Sequence, residues 1–318
     1  MATLASPFID PAAAALSPLK FRDPQWTAKG ERRATVTLGA LKTLWFNTGT
    51  LCNLTCASCY IESSPTNDAL TYLTLAEVDR FLDELDAPIE IGFTGGEPFM
   101  NPAIMAMIAK ALERGHDVLV LSNAMRPMRR HEAAILALTA HFPGKLIIRV
   151  SLDHHTRAAH EQERGPRSWE LAIDGLKWLA ANRVPLAIAG RLLPGESEAA
   201  SRAGYAALFS QLGVDLDAED PTALVLFPEM NAAADVAEIS EGCWDVLGLT
   251  PETVMCSSSR MIVRRKGRPA AEVAACTLLP FDEQFLLGES LAEARKTVAL
   301  NHPHCARFCV LGGASCSR

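Results

Sequence analysis

Between residues 43 and 227, short β-rich runs alternate with amphipathic helical runs, and this alternation restricts the fold of the 318-residue chain more than any other feature. The β-rich runs fall at 43–49, 89–94, 117–122, 146–152, 185–192 and 223–227, with helical patterns between them at 73–85, 102–114, 130–142, 168–182 and 196–212. Thr74 and Glu77 stand at the spacing of a capping box at the start of the first helix. Strands joined through helices run parallel, with right-handed crossovers. Six such units are two short of a closed eightfold barrel. The sequence therefore predicts an α/β fold: a partial, open (β/α)6 barrel with a small C-terminal cysteine-rich α+β extension. Three segments follow: a proline-rich strap or short antiparallel addition over 1–42, the partial barrel over 43–229, and the extension over 230–318.

In parallel βα arrays the reactive groups sit after the carboxyl ends of the strands. The residues of chemical interest fall there in turn. Cys52, Cys56 and Cys59, followed by Tyr60, come after the first strand, and Gly95-Gly96-Glu97-Pro98 after the second. Asn123 follows the third, Ser151 and Asp153 the fourth, Arg191 the fifth and Pro228 the sixth. Three thiolates in a C-x-x-x-C-x-x-C run can hold three corners of a 4Fe-4S cube and leave the fourth iron open to substrate. Half of a structural zinc site, or three cysteines that merely pack, are the alternatives that the spacing leaves open. Gly95 and Gly96 let the backbone approach a ligand closely, and Glu97 offers a charge to an ammonium group. Taken alone, the same four residues are also an ordinary turn.

Composition narrows the partners. The chain has 49% hydrophobic and 21% charged residues, which excludes disordered and fibrous classes. A net charge of -7 leaves no basic excess to neutralise phosphates, so nucleic acid is a poor partner. The local basic run 260–268 reads as a solvated strand edge or turn in preference to a phosphate site. No apolar stretch is long enough to span a bilayer and no signal-peptide pattern opens the sequence, so a cytoplasmic location is expected. Nine cysteines in a reducing compartment point to metal or redox chemistry over disulfides.

Together, the cysteine run and the Gly-Gly-Glu-Pro turn resemble the radical S-adenosylmethionine (SAM) superfamily over roughly 45–228. The resemblance implies that Cys52, Cys56 and Cys59 hold a SAM-binding 4Fe-4S cluster, that Tyr60 flanks the adenine, and that Gly95, Gly96 and Glu97 hold the methionyl ammonium. Ser151 and Asp153, followed by His160 and Arg164, look like the S-x-D, H-x-x-x-R pattern of one subgroup, which puts the Arg164 fork on the methionyl carboxylate. Asn123 and Ser151 are then available to the ribose or carboxylate. His154-His155 stand where glycine-proline is common in that pattern. An exposed pair is favoured over a metal or proton-transfer site, because no carboxylate partner is visible in the sequence.

Cys256, Cys276, Cys305, Cys309 and Cys316, with Gly267 between the first two, resemble a SPASM or shorter twitch region. This implies one auxiliary 4Fe-4S cluster on Cys256, Cys276, Cys305 and Cys309, with Cys316 as substitute for a late ligand. A zinc knuckle from the last three cysteines is the alternative. Cys243 reads as a free buried thiol. The expected function is reductive cleavage of SAM to a 5'-deoxyadenosyl radical that abstracts hydrogen from a small molecule or peptide, with electrons from a flavodoxin- or ferredoxin-type donor. The 1–42 segment is too short for a separate peptide-binding domain, which favours a small molecule or a short peptide segment. A non-catalytic iron-sulfur or zinc-stabilised electron-transfer or binding protein is the competing reading; it gives Glu97 and Arg164 no role.

Overall fold

The computed structural model describes residues 5–228 and 230–316; the first four residues of the strap, Glu229 at the end of the barrel segment and the last two residues lie outside it. Strands buried on both faces need near-continuous apolar runs. After β1 (Thr35–Val36) in the strap, the chain supplies them as β2 (Thr43–Asn47), β3 (Glu90–Thr94), β4 (Asp117–Ser122), β5 (Leu146–Ser151), β6 (Leu186–Arg191) and β7 (Leu224–Phe227). These six lie side by side in chain order, every neighbouring pair parallel. In the centre, Trp45 of β2 pairs with Gly92 of β3. A Cβ at Gly92 would come within 2.2 Å of the indole, so only glycine lets Trp45 lie across the sheet. Phe46 and Phe93 stack beside it at 5.7 Å between ring centres.

The crossovers are α1 (Leu75–Asp83), α2 (Ile104–Glu113), α3 (Arg126–Arg129) with α4 (Glu132–His141), α5 (Arg157–Arg164) with α6 (Ser168–Ala181), and α7 (Glu198–Leu212). The capping box at α1 forms: Thr74 Oγ1 accepts the Glu77 N–H at 3.2 Å, and the Glu77 carboxylate accepts the Thr74 N–H at 2.8 Å. Sequence periodicity misses α5, because Arg-Ala-Ala-His-Glu-Gln-Glu-Arg carries no apolar stripe.

On the far side of β2 the same sheet continues into the extension. There β8 (Ser259–Val263) adds a seventh parallel strand, followed by antiparallel β9 (Glu272–Ala274) and β10 (Leu286–Gly288). Among the described residues β7 and β10 are the free edges, so the sheet is open. The strand-edge part of the reading of 260–268 is corrected here, since β8 is buried along its whole length, while 266–268 form the exposed turn expected. Arg260 is fully buried; its Nε and Nη1 donate to the carbonyls of Cys256, Ser259 and Ala294 at 2.6–2.9 Å, while Nη2 has no partner among the described residues. The rest of the run is neutralised by acids, Arg264 on Glu77, Arg265 on Glu272 and Lys266 on Asp68.

The strap runs along the C-terminal residues. Its β1 pairs antiparallel with β11 (Val298–Ala299), and isolated bridges join Ala15 to Ala234 and Arg33 to Ser240. Helix α8 (Cys243–Leu247) has no buried residue, so Cys243 is partly exposed and not the buried thiol expected. A π-helical turn, Cys305–Val310, comes near the end of the described chain. No helix among the described residues is long and apolar enough to cross a membrane.

Candidate active site and cysteine centres

A large cavity lies at the carboxyl ends of the parallel strands, and Cys52, Cys56 and Cys59 line it. No disulfide engages them. Cys52 Sγ accepts the Leu54 N–H and Cys59 Sγ the Ser63 N–H, both at 3.4 Å, the polar setting of a loop shaped around sulfur. Burial pushes the Cys52 thiol up to about 11 and that of Cys56 to about 12. Without a metal these thiols stay protonated, and a coordinated cation is what would draw out their thiolates. Three soft sulfur donors facing one cavity fit an iron-sulfur cluster.

Glycine at 95 and 96 is dictated by close backbone packing. Gly95 has φ +138°, and a Cβ at Gly96 would come within 2.4 Å of the Leu51 carbonyl oxygen and 2.7 Å of that of Thr50. The Gly96 N–H donates to Gly49 at 2.8 Å and the Glu97 N–H to Leu51 at 3.2 Å. The second-strand loop is therefore laid against the backbone that enters the cysteine run, while Gly95 and Gly96 also line the cavity. Gly96→Ala is expected to cost about 1–3 kcal/mol by overpacking, and to displace Cys52 enough to lower iron incorporation. Urea unfolding together with an iron count checks both.

Glu97 is 2% exposed and is not among the residues lining the cavity. Its carboxylate accepts the Phe99 N–H (3.2 Å), the Ser122 hydroxyl (3.0 Å) and the Asn123 N–H (2.9 Å), and burial pushes it up to about 7. Glu97 thus ties the ends of β3 and β4 together. Asn123 lines the cavity and donates to Asn53 Oδ1 at 2.9 Å, one residue past Cys52. Tyr60 and Ser151 line it as well.

Arg164 also faces the cavity, with its fork on Asp153: Nε and Nη2 both reach the carboxylate, the latter at 3.2 Å. Burial alone would raise Asp153, but the Arg164 guanidinium overrides it and holds the carboxyl below its usual range. His160 is fully buried, edge-on to Trp169 at 5.6 Å, and burial pushes it down to about 4, so it is a neutral core imidazole.

Sequence reasoning passed over the residue that holds the cysteine loop most firmly. Glu163, 3% exposed, takes the Ser58 N–H at 2.9 Å and the Ser58 hydroxyl at 2.8 Å on Oε1, and its carbonyl takes the Ala57 N–H at 2.8 Å. The strap reaches the same carboxylate through the Ser6 hydroxyl at 2.5 Å. Arg191, at the end of β6, pairs with Glu163 at 3.3 Å, donates to Ser58 at 2.8 Å and lies over the ring of Phe8 at 4.4 Å. The one available signal was position, since Glu163 directly precedes Arg164.

A second, smaller cavity is lined by Cys256, Cys276, Cys305 and Cys309 together with His304. Burial raises all four thiols, Cys256 to about 11 and Cys276 to about 12. Four sulfur donors around one apolar space suit a fully ligated cluster. Cys316 stands in the first cavity instead, 3.3 Å from Thr277 Oγ1, with its carbonyl taking Arg149 Nη1 at 2.7 Å. The expectation of an exposed His154-His155 pair without a carboxylate is corrected: His154 is 2% exposed, and Glu196 lies 3.2 Å from its Nε2.

The sequence model of the Radical SAM superfamily matches residues 46–201, the segment that holds the cysteine loop, the Gly-Gly-Glu-Pro turn and Arg164. Over 116 residues the chain is 32% identical to the antilisterial bacteriocin subtilosin biosynthesis protein AlbA of Bacillus subtilis, a match covering 36% of this chain and 25% of AlbA. Among solved structures it is similar to Streptococcus suis SuiB bound to S-adenosylmethionine, with a TM-score of 0.57 at 11% identity over 78% of this chain and 63% of SuiB. It is also similar to anSMEcpe with bound AdoMet, with a TM-score of 0.54 at 14% identity over 80% of this chain and 77% of the other. The two structural likenesses concern the fold, and the chain spans less than two thirds of the length of AlbA and of SuiB. With the three-cysteine loop at the carboxyl end of the first barrel strand and the family match over that same segment, residues 46–201 of the chain are a radical SAM domain.

Proposed function

We propose that the chain is a radical SAM enzyme that modifies a peptide, with a second, auxiliary 4Fe-4S cluster in its extension. The observation that carries this reading is the separation of the cysteines around two cavities, the barrel trio with Cys316 on the first and four extension cysteines on the second. Cys52, Cys56 and Cys59 would hold the cluster that binds SAM, and Cys256, Cys276, Cys305 and Cys309 the auxiliary one. The loaded first site supplies a 5'-deoxyadenosyl radical by one-electron cleavage of SAM.

The protein's part is to bind, orient and exclude water. Gly95 and Gly96 expose backbone groups to the methionyl ammonium, with Glu97 fixing that loop from behind the cavity wall. Arg164, oriented by Asp153, offers its positive charge to the methionyl carboxylate, and Ser151 and Asn123 offer polar groups to the ribose. Tyr60 gives the adenine an aromatic face. Phe227, Leu278 and Phe308 add an apolar stretch of wall, which would keep water from the reacting groups. SuiB has been seen bound to the precursor peptide SuiA and anSMEcpe to the Cp18Cys peptide, which supports a peptide as the substrate class.

The two-cluster reading is tested by Cys256→Ala with Cys276→Ala. Reconstituted wild-type protein should hold about eight irons per chain and the double variant about four, two cubes against one. The variant should still release 5'-deoxyadenosine from SAM. An unchanged iron content would contradict the auxiliary site.

A further inference from the structure

The loops after β5 and β6 bring together three metal-binding side chains that the SAM site does not use. One ligand atom each from His154, His155 and Glu196 lies within 4.8 Å of the others. His154 Nε2 stands 3.3 and 3.2 Å from the two oxygens of Glu196. Ligands at ordinary zinc distances around a tetrahedral ion are about 3.3 Å apart, so this pair already has the spacing of one edge of such a site. His154 Nδ1 accepts the Thr156 N–H at 3.1 Å and lies 2.8 Å from Thr156 Oγ1, so without an ion the ring proton sits on Nε2, toward Glu196; an ion bound there displaces it, and the ring proton then faces Thr156 Oγ1.

The other two groups are held beside it. The Leu193 N–H donates to Glu196 Oε2 at 3.1 Å and fixes the carboxylate. His155 Nδ1 is buried without a partner among the described residues, and its ring lies 4.0 Å from that of His154. A Cβ at position 204 would come within 2.4 Å of His155 Nε2, so Gly204 leaves room for this ring and its other nitrogen is the one free to bind.

We propose that His154 Nε2, His155 Nδ1 and the Glu196 carboxylate bind one divalent transition-metal ion, zinc being the best match to two imidazoles and a carboxylate. The ion pins the loop after β5 to the loop after β6. Asp153, which orients Arg164, immediately precedes the first ligand, and its carbonyl accepts the Arg191 N–H at 2.8 Å. The site is therefore a brace for one wall of the main cavity.

The test starts from anaerobically reconstituted full-length protein, its cysteines loaded with iron, to which zinc is added before desalting. Zinc and iron are then counted by mass spectrometry and thermal unfolding is followed by circular dichroism. Wild-type protein is expected to retain about one zinc per chain, the capacity of a single site, and to unfold at a higher temperature with zinc than without. His155→Asn and Glu196→Gln, on separate loops, should each lose both effects with unchanged iron; should one variant fail to fold, the other decides. No zinc retained by the wild-type chain, equal zinc in a folded variant, or zinc gained only as iron is lost overturns the proposal.

Discussion

Changing Cys52, Cys56 and Cys59 together to alanine is expected to remove about four of about eight irons per chain and to end the release of 5'-deoxyadenosine from SAM. These three thiols share the large cavity with the Gly95-Gly96 backbone and Arg164, while the four extension cysteines surround a different space. Cys316 also faces the large cavity. A triple variant is the decisive one, because it removes all three barrel thiols and leaves no partly ligated cluster to interpret. Continued 5'-deoxyadenosine formation by the triple variant would remove these cysteines from the chemistry.

The second large effect is expected at Glu163. Its replacement by alanine strands the Ser58 N–H and leaves Arg191, 8% exposed, without its buried anion. Breaking a buried pair from one side costs about 3–5 kcal/mol, and here the strain falls between Cys56 and Cys59. Glu163→Ala should therefore lose both stability in urea and the iron of the first site. Glu163→Gln keeps an acceptor for Ser58 and should fall between the two. Full iron content and unchanged stability in the alanine variant would show that the loop holds itself.

Much of this arrangement was legible in the sequence because it is local. Apolar runs broken by helical periods placed the six barrel strands within a few residues, and the strand ends carried the cysteine loop, Gly95-Gly96, Asn123 and Ser151 to one cavity. What escaped depends on pairing distant residues. Arg260 made 260–268 look solvated, since the burial of β8 follows from its pairing with β2, Arg260 opposite Leu44, which nothing in the local sequence shows. Glu196 lies 42 residues from His154, and Ser6 157 residues from Glu163, so neither partnership leaves a trace in spacing. Glu97 was legible as a site residue but not in its orientation, which three donors from its own and the neighbouring loop determine.

If the barrel trio holds a cluster whose open iron takes SAM, binding of SAM alters the electronic state of that cluster. Electron paramagnetic resonance of the reduced, reconstituted chain, recorded with and without SAM, tests it most directly. SAM is expected to reshape the signal of one cluster, the one missing from the Cys52/Cys56/Cys59 variant, and to leave the other signal unchanged. A spectrum indifferent to SAM, or a SAM-dependent change that survives in that variant, would contradict it.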